Sequence, residues 1–132
     1  MIGVDIVSIA RIEKCVKRFE MRFLERFLSP SEIVLCKDKS SSIAGFFALK
    51  EACSKALQVG IGKELSFLDM RISKSPKNAP LITLSKEKMD YFNIQSLSAS
   101  ISHDAGFAIA VVMVSPSNLS ITCPKTPITS CF

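Results

Sequence analysis

A chain of 132 residues with 48% apolar and 22% charged side chains is one globular domain's worth and is not a disordered polyelectrolyte. Its longest clean apolar run, Ala105 to Val114, is too short to span a bilayer. Asp5 interrupts the stretch where a secretory signal would be apolar, so a cytoplasmic protein without membrane insertion is expected. Seventeen basic against twelve acidic residues leave a net charge of +5. That excess calls for an anionic partner without choosing among nucleic acid, membrane surface, phosphorylated ligand and acidic protein.

Met1 to Val7 reads as a short apolar strand carrying one carboxylate, Asp5. Ser8 then caps a helix whose apolar residues Ile9, Ile12, Val16, Phe19 and Phe23 share one face, with Arg11, Lys14, Arg18, Arg22 and Arg26 on the other. Ser29-Pro-Ser-Glu32 starts a second helix: capping serine, proline at the first position, glutamate at the third. A third helix runs from about Ser42 to Leu57 and stops near Gly60-Ile-Gly62. Ala44, Ala48, Ala52 and Ala56 form a small-residue ridge along it that permits close packing.

Beyond the glycines the period becomes two. Leu68, Met70 and Ile72 alternate with polar residues as a half-buried strand, and Lys77-Asn-Ala-Pro80 turns into a second strand, Leu81 to Leu84. A short helix follows from Ser85. Leu97, Ala99 and Ile101 then alternate with serines before His103-Asp-Ala-Gly106 turns into a last strand, Phe107 to Val114. Helices first and an antiparallel meander second make a single α+β domain over residues 1–114, followed by a Ser-, Thr- and Pro-rich tail over 115–132 expected to be loosely held.

The five cysteines, Cys15, Cys36, Cys53, Cys123 and Cys131, lie far apart with no CxxC pair, which excludes a disulfide framework and a zinc site of the usual spacing. Asp5 is the first residue with chemical interest. A carboxylate in an apolar strand is costly to desolvate unless paired, and two roles fit it: capping the following helix, or binding a metal. Glu51 and Lys55 stand four apart in the favourable order for a helix pair, but their helix is otherwise suited to burial and a Gly-x-Gly loop follows it. His103, the sole histidine, sits at the end of a strand beside Asp104. The basic helix stripe is either a wet amphipathic face or a surface for an acidic partner. Its phenylalanines point the other way, which argues against single-stranded nucleic acid.

Taken together, Ile2-Gly-Val-Asp-Ile-Val7, Phe47-Ala-Leu-Lys-Glu-Ala-Cys-Ser-Lys-Ala56, Gly60-Ile-Gly62 and Ser100-Ile-Ser-His103 resemble the holo-acyl-carrier-protein synthases in order and spacing, from Met1 to about Val114. The strand aspartate combined with the Lys-Glu-Ala-x-x-Lys-Ala helix is the specific part. The resemblance implies the 4′-phosphopantetheinyl transferase fold. It also implies transfer of 4′-phosphopantetheine from coenzyme A to a serine of apo acyl carrier protein, releasing adenosine 3′,5′-bisphosphate, in support of fatty acid biosynthesis.

By motif position it implies that Asp5 and Glu51 hold a magnesium ion (Mg²⁺) on the pyrophosphate and that Lys55 and His103 join them as catalytic residues. Phe47, Lys55, Gly60, Gly62, Pro80 and His103 would contact coenzyme A, and Arg11, Arg18 and Arg22 the acidic carrier protein. Family members resemble homotrimers with active sites between subunits, which lets Asp5 and Glu51 come from different chains. Nucleic acid is not among the implied partners. The chain departs from the family at Phe46, where many relatives have arginine for a phosphate contact, and at Asn78-Ala-Pro80, where Gly-Lys-Pro usually borders the adenine pocket. Two other classes of function fit parts of the pattern. A catalytically idle coenzyme A or nucleotide-binding module would bind the coenzyme without modifying any carrier protein. A small basic nucleic-acid-binding protein would show salt-sensitive duplex binding.

Overall fold

The computed structural model describes residues 1–117. Strand β1 (Ile2–Ser8) leads into α1 (Ile9–Phe19), α2 (Met21–Glu25), α3 (Pro30–Cys36) and the long α4 (Ser40–Ala56); β2 (Met70–Lys74), β3 (Pro80–Leu84), α5 (Lys86–Tyr91), β4 (Ile94–Asp104) and β5 (Phe107–Pro116) follow. The α+β class stands, but the strands do not form one meander. β1 returns to the C-terminal hairpin to make an antiparallel sheet in the order β1-β5-β4, while β2 and β3 pair separately. The β4–β5 turn is the two residues Ala105 and Gly106, both at positive φ, as a hairpin turn that matches strand twist requires. β5 runs to Pro116 and the Ser117 amide donates to the Asn93 carbonyl, so the folded unit passes the expected boundary at Val114. The tail from residue 118 onward, with Cys123 and Cys131, lies outside the described residues.

The caps behave as their chemistry demands. Ser8 accepts the Arg11 amide at the start of α1, Ser29 and Glu32 form a reciprocal capping box on α3, and Ser85 accepts the Lys88 amide on α5. The basic helix is not continuous, however. Glu20 adopts φ 51 and ends α1, so Arg22 and Arg26 sit on and just beyond a separate short helix. Leu68, expected in the first strand of the β2–β3 hairpin, instead belongs to a 3₁₀ turn, Phe67–Asp69, and is exposed.

Helix α4 organises the molecule. Ala44, Ala48, Ala52 and Ala56 are all fully buried and form the side of α4 that lies on β1 and β5. The approach is closest at Gly3, where a Cβ would run into the Ala52 carbonyl and the Ala56 amide. Thus β1, and with it Asp5, rests directly on the helix that carries Glu51 and Lys55. The opposite side of α4 carries Lys50, buried beneath α3 and the turns at Phe27 and Phe67. Cys36 and Cys53 are buried free thiols, pushed up to about 11 and about 12 by burial, and act as hydrophobes rather than nucleophiles.

Candidate active site

Asp5 and Glu51 border one cavity of about 240 Å³, lined also by Ile6, Val7, Arg11, Ile12, Cys15, Phe23 and Phe47. Within one chain the two acids border the same cavity, so bringing them together does not require a second subunit. Asp5 does not cap α1; Ser8 does. Instead the Lys55 ammonium donates to Asp5 Oδ1 at 2.8 Å, so the expected ion pair between Glu51 and Lys55 is replaced by one between residues far apart in sequence. At about 3.6 residues per turn, Phe47, Glu51 and Lys55 fall on one side of α4, and Lys55 meets Asp5 in the middle of β1.

The electrostatics follow from that convergence. Burial first, then the negative charge of Asp5, raises the Glu51 carboxyl above its ordinary value, with Lys55 pulling the other way. The hydrogen bond to Asp5 holds Lys55 above its ordinary value, so it stays charged at neutral pH. No hydrogen bond or ion pair among the described residues holds the Glu51 carboxylate. Two carboxylates beside one ammonium leave unused oxygen lone pairs, a donor set suited to a hard cation. Among the described residues there is no cluster of three His, Cys, Asp or Glu side chains. A site of this kind suits an ion that completes its shell with water and substrate oxygens, as magnesium does, rather than a structural zinc.

The other residues that the resemblance assigns to coenzyme A fall into two places. His103 and Pro80 line a second cavity of about 180 Å³ with Ser42, Gly45, Phe46, Lys74, Asn78 and Ile101. His103 Nε2 lies 2.9 Å from the Ser41 carbonyl. Gly45 makes room for its ring, since a Cβ there would stand 3.2 Å from Nε2. Both family departures, Phe46 and Asn78, sit in this cavity. It lies on the other side of α4 from Glu51, so the two cavities lie back to back. Gly60 (φ 65) and Gly62 lie in the loop beyond the Lys55 end of α4 with open space around them, lining neither cavity.

Arg11 reaches the first cavity, and Arg22 lines an adjoining cleft with Cys15, Phe19, Phe23 and Arg26. Arg18 stands over the Phe19 ring, 5.1 Å from its centroid. The sequence reading missed Glu32 and Lys50, a buried ion pair at 2.9 Å. Glu32 stood out there only as part of a cap, and nothing local distinguishes Lys50 from a solvated lysine.

The sequence signature described as the 4′-phosphopantetheinyl transferase superfamily matches residues 1–112. The chain belongs to this superfamily. Among similar phosphopantetheinyl transferases, the holo-[acyl-carrier-protein] synthase of Helicobacter pylori strain J99 is 98% identical over 119 residues, which are 90% of this chain and 100% of that protein. The crystal structure of Helicobacter pylori holo-[acyl-carrier-protein] synthase in complex with coenzyme A superposes with a TM-score of 0.86 at 95% identity, covering 87% of this chain and 100% of that one. The Bacillus anthracis synthase in complex with CoA (3′,5′-ADP) superposes at 0.74 with 36% identity, covering 89% and 96%. The small α+β architecture of this transferase is therefore the architecture of those structures.

Proposed function

We propose that this chain transfers the 4′-phosphopantetheine of coenzyme A to a serine of apo acyl carrier protein, giving the holo form and adenosine 3′,5′-bisphosphate, in support of fatty acid biosynthesis. The observation that carries the reading is the meeting of Asp5 and Glu51 at one cavity, with Lys55 paired to Asp5. In the reaction the serine oxygen forms a bond to the pantetheine-bearing phosphorus as that phosphorus loses its bond to the departing bisphosphate. Asp5 and Glu51 would hold Mg²⁺, which when bound neutralises charge developing on the pyrophosphate. The Lys55 ammonium, held charged and half-exposed beside Asp5, adds a second positive partner for phosphate oxygens without metal chemistry. The nucleophile arrives on the partner protein, so no serine or cysteine triad is needed in this chain.

The coenzyme's other contacts are assigned to His103 and Pro80 in the second cavity, to Phe47 at the first, and to the backbone of Gly60 and Gly62. Because one chain turns the two cavities apart, the reading pairs the acidic half of one protomer with the His103 half of a neighbour in a homotrimer. A stripe of exposed apolar residues on the outer sheet face supports such assembly: Ile2, Val4 and Ile6 of β1 beside Ile109 and Met113 of β5. Arg11, Arg18 and Arg22 form the surface for the acidic carrier protein. No described helix is long and apolar enough to cross a membrane, and we place the enzyme in the cytoplasm, with its coenzyme.

Intact-mass analysis of apo acyl carrier protein incubated with this chain, coenzyme A and Mg²⁺ tests the reading. A phosphopantetheine mass gain that EDTA prevents is expected. Coenzyme A binding with no gain on any apo carrier protein would identify an idle binding module instead.

A further inference from the structure

The buried pair beneath α4 has more partners than packing alone requires. Lys50 Nζ donates to the Phe27 carbonyl at 2.6 Å, to Glu32 Oε1 at 2.9 Å and to the Phe67 carbonyl at 3.0 Å, which uses all three ammonium hydrogens. Glu32 in turn accepts the Ser29 amide on Oε1 and the Ile72 amide on Oε2, each at 2.8 Å. One ammonium thus ties α4 to the turn after α2, to the 3₁₀ turn, and through Glu32 to α3 and β2. Buried ion pairs of this kind are often no more stabilising than an apolar pair of the same volume, so stability does not account for the arrangement.

Its connections lead to the active site. The two carbonyls gripped by Lys50 belong to Phe27 and Phe67, whose rings pack on Phe47 at centroid distances of 5.2 and 5.8 Å, while Phe23 packs on Phe27 at 5.1 Å. Phe23 and Phe47 are walls of the cavity that Asp5 and Glu51 border. Glu51 immediately follows Lys50 and its carboxylate has no hydrogen bond among the described residues, so its aim is set by the rotation of α4. We propose that Lys50, anchored by Glu32, is a positioning residue for transfer: its three-point grip fixes the rotation of α4 and the aromatic wall, and so aims Glu51 at the ion shared with Asp5.

This inference rests on the metal-binding reading above, and its test separates the two. The informative variant is Glu32→Leu with Lys50→Met, which removes the pair while keeping its volume. Mn²⁺ is titrated against each protein with coenzyme A present and followed by electron paramagnetic resonance; transfer kinetics and circular dichroism accompany it. The double variant is expected to remain folded, to bind Mn²⁺ about tenfold more weakly, and to lose about tenfold in kcat, with KM for the carrier protein within about twofold because α1 is untouched. A folded double variant with unchanged Mn²⁺ binding and kcat overturns the proposal. A double variant that fails to fold also overturns it, by showing the pair to be a stability element. Glu51→Gln is the reference: if it binds Mn²⁺ like the parent, the metal assignment itself fails, whatever Lys50 does.

Discussion

Helix α4 carries two lysine–carboxylate pairs that are alike in length and opposite in use. Lys50–Glu32 spans 2.9 Å with side chains 0% and 2% exposed; Lys55–Asp5 spans 2.8 Å with side chains 53% and 14% exposed. In the first, three carbonyl and carboxylate oxygens take up the ammonium and two backbone amides take up the carboxylate. The ammonium is fully used, and three of the carboxylate's roughly four acceptor positions are filled. In the second, one hydrogen bond joins the partners, the Lys55 side chain is half-exposed, and Asp5 also borders the cavity. What separates a fastener from a binding site is therefore the number of valences left unused, not the residue types or the distance between them.

The sharpest way to break this contrast is to truncate each lysine. Lys50→Ala leaves a buried, unpaired Glu32 and is expected to cost about 3–5 kcal/mol in urea unfolding. Lys55→Ala should cost less than about 1 kcal/mol yet slow transfer about a hundredfold. If Lys55→Ala unfolds the chain while transfer survives in Lys50→Ala, the two pairs have been assigned the wrong roles. Gly3→Ala attacks the surface on which the exposed pair depends. It is expected to cost about 1–3 kcal/mol by overpacking β1 against α4, and to impair transfer beyond its stability cost because it shifts Asp5.

Arg18→Glu lies off both pairs. It should raise KM for the carrier protein about tenfold, with the difference shrinking as salt is added, and leave coenzyme A binding unchanged. Equal losses for both substrates would make the stripe scaffold. The smallest effect concerns Glu51. Its carboxyl is raised by burial and by Asp5, so between the ordinary and the raised value the folded chain holds a proton that the unfolded chain has released. Stability therefore falls as pH rises through that window. Glu51→Gln should melt roughly 1–3 °C higher than the parent in metal-free buffer at pH 7, and the gain should vanish below the ordinary carboxylate range. A parent that melts no lower than the variant at pH 7 would show that Glu51 carries no such strain.

Much of this was legible before any coordinates. The capping residues Ser8, Ser29 and Ser85 act locally, and local chemistry is what a sequence displays most directly. The alanine ridge announced a helix that packs tightly, and the Asp5 and Lys-Glu-Ala-x-x-Lys motifs singled out residues that the fold brings together. What stayed hidden depends on long-range partners or on unmarked backbone. No glycine or proline flags the break at Glu20, which takes positive φ as an ordinary residue. Lys55 looked paired to its helical neighbour Glu51 because nothing local says that β1 lies alongside to offer Asp5 instead. Glu32 read only as part of a cap, and the Glu32–Lys50 pair went unseen, because its burial is created by elements not yet folded around it. The return of β1 to the C-terminal hairpin is likewise a matter of topology, which periodicity does not encode.

The contact at Gly3 has a further consequence, for register. Successive residues of β1 alternate between the helix and the outer face, so sliding the strand by one position would bring Ile2 or Val4 to the spot where only a hydrogen atom fits beneath Ala52 and Ala56. A slip of two would put Met1 or Asp5 there. Every wrong alignment collides, so glycine works as a key cut for a single lock, and the address of Asp5 is proofread by steric exclusion as the strand docks.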